Sequence, residues 1–338
     1  MLRQLSKVSV FKSATRSFST IPLSNKNFLS ISSITSVELR HLLDEAASLK
    51  NLYKNEEAVD YSPLKGKSMA MIFEKRSTRT RVSTETGFTK LGGHPLFLSS
   101  QDIQLNVNES LYDTSKVLTR FNDLILARVN SNSTIETLAK ECGEGRVINA
   151  LCDMYHPLQT LADLMTLEEQ WGRGGCKGKT LAWVGDGNNV IHDLMVGFLL
   201  LEGNVNVATP VGYECHPTVL SRCAEIVEEN GTRLTTTADA KEACTGADVV
   251  VTDTWVSMGE EDMYEKKVAE FAGYQVNKDL MSVTNPDSKF MHCLPRHQEE
   301  VHDEVFYDEN VSLVWDEAEN RMWTVMAVCM AMQGKTSM

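Results

Sequence analysis

Residues 179–210 read KTLAWVGDGNNVIHDLMVGFLLLEGNVNVATP: an apolar run, a glycine-bearing turn, a dozen residues of helical length, a glycine stop and a second apolar run. Two buried strands separated by one helix pair in parallel, with the helix as the right-handed crossover. The alternation continues through HPTVLSRCAEIVEENG, TRLTTT, ADAKEACTGA and DVVVTDTW, which read as helix, strand, helix and strand. The pattern predicts a doubly wound parallel sheet, a fold that binds ligands at the carboxyl ends of its strands.

The first half repeats the logic. After a helix in TSVELRHLLDEAASLKNLY comes the strand SMAMIFE, and then STRTRVSTETGFTKLGG, a helix with a hydroxyl cap and a glycine stop. Its first turn carries Ser77, Thr78, Arg79 and Thr80. Free N–H groups and the positive end of a helix attract an anion, and hydroxyls with a guanidinium add donors suited to phosphate. Simple capping needs one hydroxyl and not Arg79, so both readings stand on these residues alone. DLILARV is a further strand with Arg128 near its end. RVINALCDMYHPLQTLADLMTLEEQWG gives a strand, a loop bearing His156 and a long helix with Pro157 in its first turn and Gln159 two residues on. Arg79, Arg128, His156 and Gln159 thus all fall at strand ends or helix starts.

A dinucleotide site is a poor fit to the second half. Gly185-x-Gly187-x-x-Val190 lacks the third glycine of the fingerprint, and the next strand ends VATP, where a ribose-binding Asp or Glu belongs. Asn188 and Asn189 become candidates for polar substrate contacts instead. Asp253 closes a strand ahead of the small tripeptide Ser257-Met258-Gly259, readable as a surface loop or as a lid over a cationic substrate beside Asp253. The eight cysteines form no C-x-x-C pair, and His292, His297 and His302 recur every five residues with no second Cys/His cluster, which argues against a disulfide framework and against zinc. In HCLPRHQ, Cys293 follows His292 at a strand end. As a residue type it fits a metal ligand, a nucleophile, a disulfide half or a buried filler.

Taken in order, Ser77-Thr-Arg-Thr80, Ala127-Arg-Val129, His156-Pro-Leu-Gln159, Asp253-Thr-Trp-Val-Ser-Met-Gly259, His292-Cys-Leu-Pro295 and Glu319-Asn-Arg321 resemble the motifs of ornithine carbamoyltransferases, in order and at about their spacing, over nearly all of residues 30–332. The first three motifs mark carbamoyltransferases generally, and SMG with HCLP marks the ornithine enzymes. One departure is Asn106, where many relatives have glycine. The resemblance implies an α/β fold with two doubly wound parallel-sheet domains joined by helices and an active site in the cleft between them. It implies a carbamoyl-phosphate-binding domain over 28–163, an ornithine-binding domain over 164–315, and a C-terminal helix over 316–334 packing back on the first domain.

The implied reaction carries the carbamoyl group of carbamoyl phosphate to the side-chain amine of L-ornithine, giving L-citrulline and phosphate; putrescine or N-acetylornithine is the alternative amine. By the same resemblance Ser77, Thr78, Arg79, Thr80 and Arg128 hold the phosphate, with Gln104 reaching in from the neighbouring subunit of a homotrimer. His156, Arg321 and Thr80 lie at the carbonyl, while Gln159 and the Leu294 carbonyl hold the amide nitrogen. Asn189, Asp253, Ser257 and Met258 grip ornithine, whose chain runs toward Cys293, itself also counted among the carbamoyl-phosphate contacts. Cys293, backed by Asp253, accepts or relays the proton, and the catalytic set is Cys293, Asp253, His156, Arg79 and Arg321. No metal or organic cofactor is implied.

Charge adds a last constraint. Residues 1–37 hold five cations (Arg3, Lys7, Lys12, Arg16 and Lys26) and no acid, so against a chain total of −13 the remainder carries −18. Such a body argues against nucleic-acid binding, and no apolar run reaches the length of a membrane span. The segment MLRQLSKVSVFKSATRSFST is basic, Ser-rich and spaces Leu2, Leu5, Val8 and Phe11 along one helical face, as mitochondrial transit peptides do. The expectation is a leader over residues 1–18, cut after Phe18, and a matrix location.

Overall fold

The computed structural model describes residues 23–55, 60–99, 109–256 and 261–337. Expected features at residues 1–18 and at Gln104, Asn106, Ser257, Met258 and Gly259 lie outside them. Two sheets, each entirely parallel, organise the chain. The first comprises β1 (Ser68–Phe73), β2 (His94–Ser99), β3 (Leu124–Arg128) and β4 (Val147–Leu151) in the order β2-β1-β3-β4. The second comprises β5 (Thr180–Val184), β6 (Asn204–Ala208), β7 (Leu234–Thr237), β8 (Val249–Thr252) and β9 (Lys289–His292) in the order β7-β6-β5-β8-β9. The central strands are buried along almost their whole length, as parallel strands covered by helices on both faces require.

The first sheet is served by α1 (Ser36–Lys54), α2 (Thr78–Lys90), α3 (Leu111–Phe121), α4 (Asn132–Cys142) and α5 (Pro157–Trp171). The second is served by α6 (Asn189–Leu200), α7 (Pro217–Asn230) and the short α8 (Ala240–Cys244), α9 (Tyr264–Glu270), α10 (Lys278–Met281) and α11 (Asp303–Phe306). The final helix, α12 (Val314–Met332), returns to pack against α1, α2 and α5. Most of its residues from Asn320 to Met332 are buried, so it serves as a core element of the first half although it follows the second in sequence. Gly87 of α2 allows this approach: a Cβ there would meet Met326 Cγ at 2.8 Å.

Helix starts follow local chemistry. Thr35 and Glu38 form a reciprocal capping box on α1, and Ser77 Oγ accepts the Thr80 N–H at the start of α2, a bond of the kind worth about 1 kcal/mol. The strand order then decides where a ligand can sit. In each sheet the winding direction reverses once, between β1 and β3 and between β5 and β8, and a crevice opens at the carboxyl ends of strands beside such a reversal. The two crevices face one cleft.

Candidate active site

The cleft holds a cavity of about 620 Å³. From the first half it is lined by Lys75 to Thr80 after β1, by Arg128 at the end of β3, and by Leu151, Cys152, Asp153 and His156 after β4. From the second half come Asp186 and Asn188 to Val190 after β5, Asp253 and Thr254 after β8, and Cys293, Leu294 and Pro295 after β9; α12 adds Arg321. Every described residue expected in the site lines this cavity except Gln159, which is 1% exposed and stands behind Arg321.

Register explains the central contact. β8 and β9 pair with Thr252 opposite His292, so the residues one step beyond, Asp253 and Cys293, emerge side by side. Cys293 Sγ donates to Asp253 Oδ1 at 3.0 Å, and Asn188 Nδ2 donates to Asp253 Oδ2 at 2.9 Å. Asn188 Oδ1 meanwhile caps α6 through the N–H groups of Val190 and Ile191. One amide thus starts the helix and orients the carboxyl. The neighbouring Asn189 donates to the Cys152 carbonyl, tying the second half to the loop after β4.

Burial and charge set the protonation states. The Cys293 thiol is pushed well above the ordinary cysteine range, first by burial and then by the charges of Asp253 and Glu317, so it remains a thiol that donates to Asp253. His156 is pushed well below the usual histidine range by burial and by Arg321, Arg128 and Arg79, which leaves a neutral imidazole with Nδ1 buried and unpaired. Arg128 and Arg321 are each lowered to about 10, chiefly by burial. The guanidiniums of Arg79, Arg128 and Arg321 repel one another in a low-dielectric wall, an arrangement that an anion among them relieves.

Arg321 reaches across the cleft wall. Its Nη2 donates to Thr80 Oγ1 at 3.2 Å and its Nη1 to Gln159 Oε1. His292, the other half of the HC pair, turns away: it is fully buried, accepts the Leu294 N–H at Nδ1 and places Nε2 3.4 Å from Glu300. Successive strand residues face opposite sides, which separates the two side chains. Asp253, His292 and Cys293 nevertheless offer donor atoms within 4.8 Å of one another, a grouping invisible without the β8–β9 pairing. The carboxyl and thiol of that trio are bonded to each other and the His292 Nδ1 is bonded to the chain.

Sequence reasoning passed over four residues. Lys75 and Arg76 add cationic groups beside the phosphate-type helix start, and runs of basic residues at strand ends are the signal that was available. Asp163 and Glu317 are buried beside Gln159: Asp163 accepts from it at i+4 on the same helix, a spacing the sequence offers, whereas Glu317 comes from α12 and carries no local signal.

Two α/β halves with facing crevices, an anion-attracting helix start and a carboxyl–thiol pair across the cleft make a two-domain α/β protein built to hold small polar ligands between its halves. Residues 26–169 match the profile of the aspartate/ornithine carbamoyltransferase carbamoyl-P binding domain, and residues 177–332 that of the Asp/Orn binding domain. The chain belongs to the aspartate/ornithine carbamoyltransferase family. Among curated relatives, the mitochondrial ornithine carbamoyltransferases of Aquarana catesbeiana and Schizosaccharomyces pombe are each 48% identical over 311 residues, covering 92% and 91% of this chain and 87% and 94% of theirs. Among solved structures, the ornithine carbamoyltransferase of Pyrococcus furiosus superposes with a TM-score of 0.87 at 43% identity, covering 91% of this chain and 97% of its own. The mitochondrial enzyme of Coccidioides immitis gives 0.82 at 44%, covering 90% and 96%.

Proposed function

We propose that this protein transfers the carbamoyl group of carbamoyl phosphate to the side-chain amine of L-ornithine, forming L-citrulline and releasing phosphate. The carrying observation is the Asp253–Cys293 pair facing the Ser77–Thr80 helix start across one cavity, in a chain whose relatives over nine-tenths of its length are named ornithine carbamoyltransferases.

In this reading the phosphate lies on the α2 start, against Ser77 to Thr80 and the Arg79 and Arg128 guanidiniums. The carbonyl oxygen points to Thr80, His156 and Arg321. As the amine nitrogen bonds to the carbonyl carbon, negative charge gathers on that oxygen, and each preorganised donor there is worth roughly 3–4 kcal/mol. A neutral His156 can donate without bringing a further cation among three guanidiniums. Collapse breaks the carbon–oxygen bond to phosphate.

The incoming amine has an ordinary pKa near ~10.4 and must lose a proton to attack. Cys293, held as a thiol, contacts the amine while Asp253 takes the proton through it. Asn189 and Asp253, with Ser257 and Met258 from beyond the described residues, grip the amino-acid end. Gln104 from a neighbouring subunit of a homotrimer completes the phosphate site. The carbamoyl-phosphate-binding domain is placed at 28–163, the ornithine-binding domain at 164–315 and the returning helix at 316–334; β1 to β4 fall in the first and β5 to β9 in the second, while the two limits cut α5 and α12.

The mitochondrial names of the relatives support a mitochondrial protein, and the basic first segment extends this to a matrix enzyme made with a leader. Among the described residues no helix is long and apolar enough to cross a membrane. The test is citrulline formation from carbamoyl phosphate with ornithine, putrescine or N-acetylornithine as competing amines. A preference for ornithine of at least tenfold in kcat/KM is expected, and faster carbamoylation of either rival overturns the assignment.

A further inference from the structure

We propose that His192 and Asp193 are positioning residues: from the second half they clasp the main chain of the loop that carries His156, and so set where its imidazole meets the carbamoyl carbonyl. The inference rests on the carbamoyl-transfer reading and deepens it by naming what holds a carbonyl-side donor in place.

His156 belongs to the first half, in the loop between β4 and α5. That loop lines the cavity through Cys152, Asp153 and His156. Asn189, His192 and Asp193 stand at positions i, i+3 and i+4 of α6, in the second half, and so share one face. Asn189 Nδ2 donates to the Cys152 carbonyl. His192 Nδ1 lies 3.0 Å from the Met154 carbonyl oxygen, and the Asp193 carboxyl accepts the His156 N–H. One face of one helix thus meets every second residue of the loop, ending at His156.

The clasp is buried. His192 is 4% and Asp193 0% exposed, so a bond lost there is not replaced by bulk water. A carbonyl oxygen only accepts, so His192 carries its proton on Nδ1, and the bare Nε2 accepts the His216 N–H at 3.0 Å. Burial keeps the ring below the usual histidine range, which preserves this neutral tautomer. Asp193 Oδ1 also accepts the Ile31 N–H at 2.7 Å, tying the segment ahead of α1 to the same point. Further along α6, a Cβ at Gly197 would meet Leu164 Cδ1 at 2.9 Å and Thr160 Cγ2 at 3.0 Å. The glycine therefore seats α5, which starts just after His156, directly on α6.

A donor to a developing oxyanion acts only where it stands, and a displacement of about 1 Å can cost about 100-fold in rate. The phosphate is held by the α2 start and Arg128, which α6 does not hold. Loosening the clasp should therefore slow turnover and spare anion binding.

The experiment measures kcat per folded chain and the KM for carbamoyl phosphate in the wild-type protein and in His192→Gln, His192→Asn, Asp193→Ala and Asp193→Asn. Glutamine sets its amide where Nε2 was, so it can serve His216 but withdraws the donor to Met154. Asparagine sets its amide nitrogen where Nδ1 was and keeps that donor. In His192→Gln kcat should fall roughly 10- to 100-fold, and in His192→Asn it should stay within about threefold of wild type. The KM for carbamoyl phosphate should stay within about threefold in both. Asp193→Ala, which leaves the His156 N–H without its acceptor, should lose kcat likewise, while Asp193→Asn keeps an acceptor oxygen and the rate. This second pair supplies the reading if the His192 variants do not fold. The proposal is overturned by an unchanged kcat in both His192→Gln and Asp193→Ala, by a His192→Asn protein no faster than His192→Gln, or by a KM that rises as much as kcat falls. A wild-type protein that makes no citrulline overturns the underlying function instead.

Discussion

The thiol of Cys293 lies 3.0 Å from Asp253 Oδ1 and donates to it, although the two residues are 40 positions apart in the chain. The negative carboxyl, after burial itself, holds the thiol proton in place. Asp253→Asn removes that charge and leaves the shape, so the Cys293 pKa should fall. Alkylation by iodoacetamide at pH 8, read at Cys293 by peptide mass spectrometry, should therefore be faster in the variant. Slower or equal labelling would show that Asp253 does not control the thiol.

Cys293→Ser keeps a donor to Asp253 and replaces an adaptable, polarisable group that titrates with one that does not. If the thiol relays the amine proton, kcat/KM for ornithine should fall by roughly 100-fold, the lower end of the range for assisted proton transfer. Carbamoyl phosphate binding should stay within about threefold, since the anion is held by the opposite half. Rates and both Michaelis constants near wild type would make Cys293 a packing residue.

Arg79→Ala should leave a folded protein that no longer binds carbamoyl phosphate usefully. Loss of a charge-assisted contact of about 1.5–3 kcal/mol predicts a KM higher by roughly 10- to 150-fold. It should also ease the repulsion that lowers Arg128, so thermal stability without ligand should hold or rise. A near-normal KM would remove the phosphate from the α2 start.

Asp193 offers a test of buried charge. It accepts the N–H of Ile31 at 2.7 Å and that of His156, and burial raises it to about 8. The folded state therefore holds a proton that the unfolded chain has released above about pH 4. Stability drops as pH climbs toward the folded pKa, and crossing it from pH 7 to 9 should cost about 1.4 kcal/mol. His156 and His292, whose values are lowered, act only on the acid side, where stability falls as pH drops below the unfolded value near 6.5. Urea unfolding of ligand-free protein should show this alkaline loss in wild type and a shallower one in Asp193→Asn. Parallel slopes would contradict it.

Residues 1–18 should act as an import signal. A fluorescent protein fused behind residues 1–26 should enter mitochondria, and the mature enzyme should begin after Phe18 when its first residues are sequenced. A cytosolic fusion, or mature protein starting at Met1 or Leu2, would count against a cleaved leader.

Local chemistry was legible in the chain itself. The Ser77–Thr80 helix start, the Pro157 start of α5, the β-α alternation after Lys179 and the placing of Arg128 and Cys293 at strand ends all depend on periodicity, capping and turn residues within about ten positions. The meeting of those pieces was not. Sheet orders β2-β1-β3-β4 and β7-β6-β5-β8-β9 arise from pairing between segments far apart in sequence, and only that order puts Asp253 beside Cys293 and opens the two crevices toward each other. Arg321 reaches Thr80 across 241 positions because α12 buries its apolar face on α1, α2 and α5. Gln159, expected at the substrate amide, does not line the cavity: its oxygen accepts from Arg321 and its nitrogen donates to Asp163 and Glu317, the last two partners lying in helices far apart in sequence. Spacing along a helix states which side chains share a face; what that face meets is decided by the packing of the whole chain.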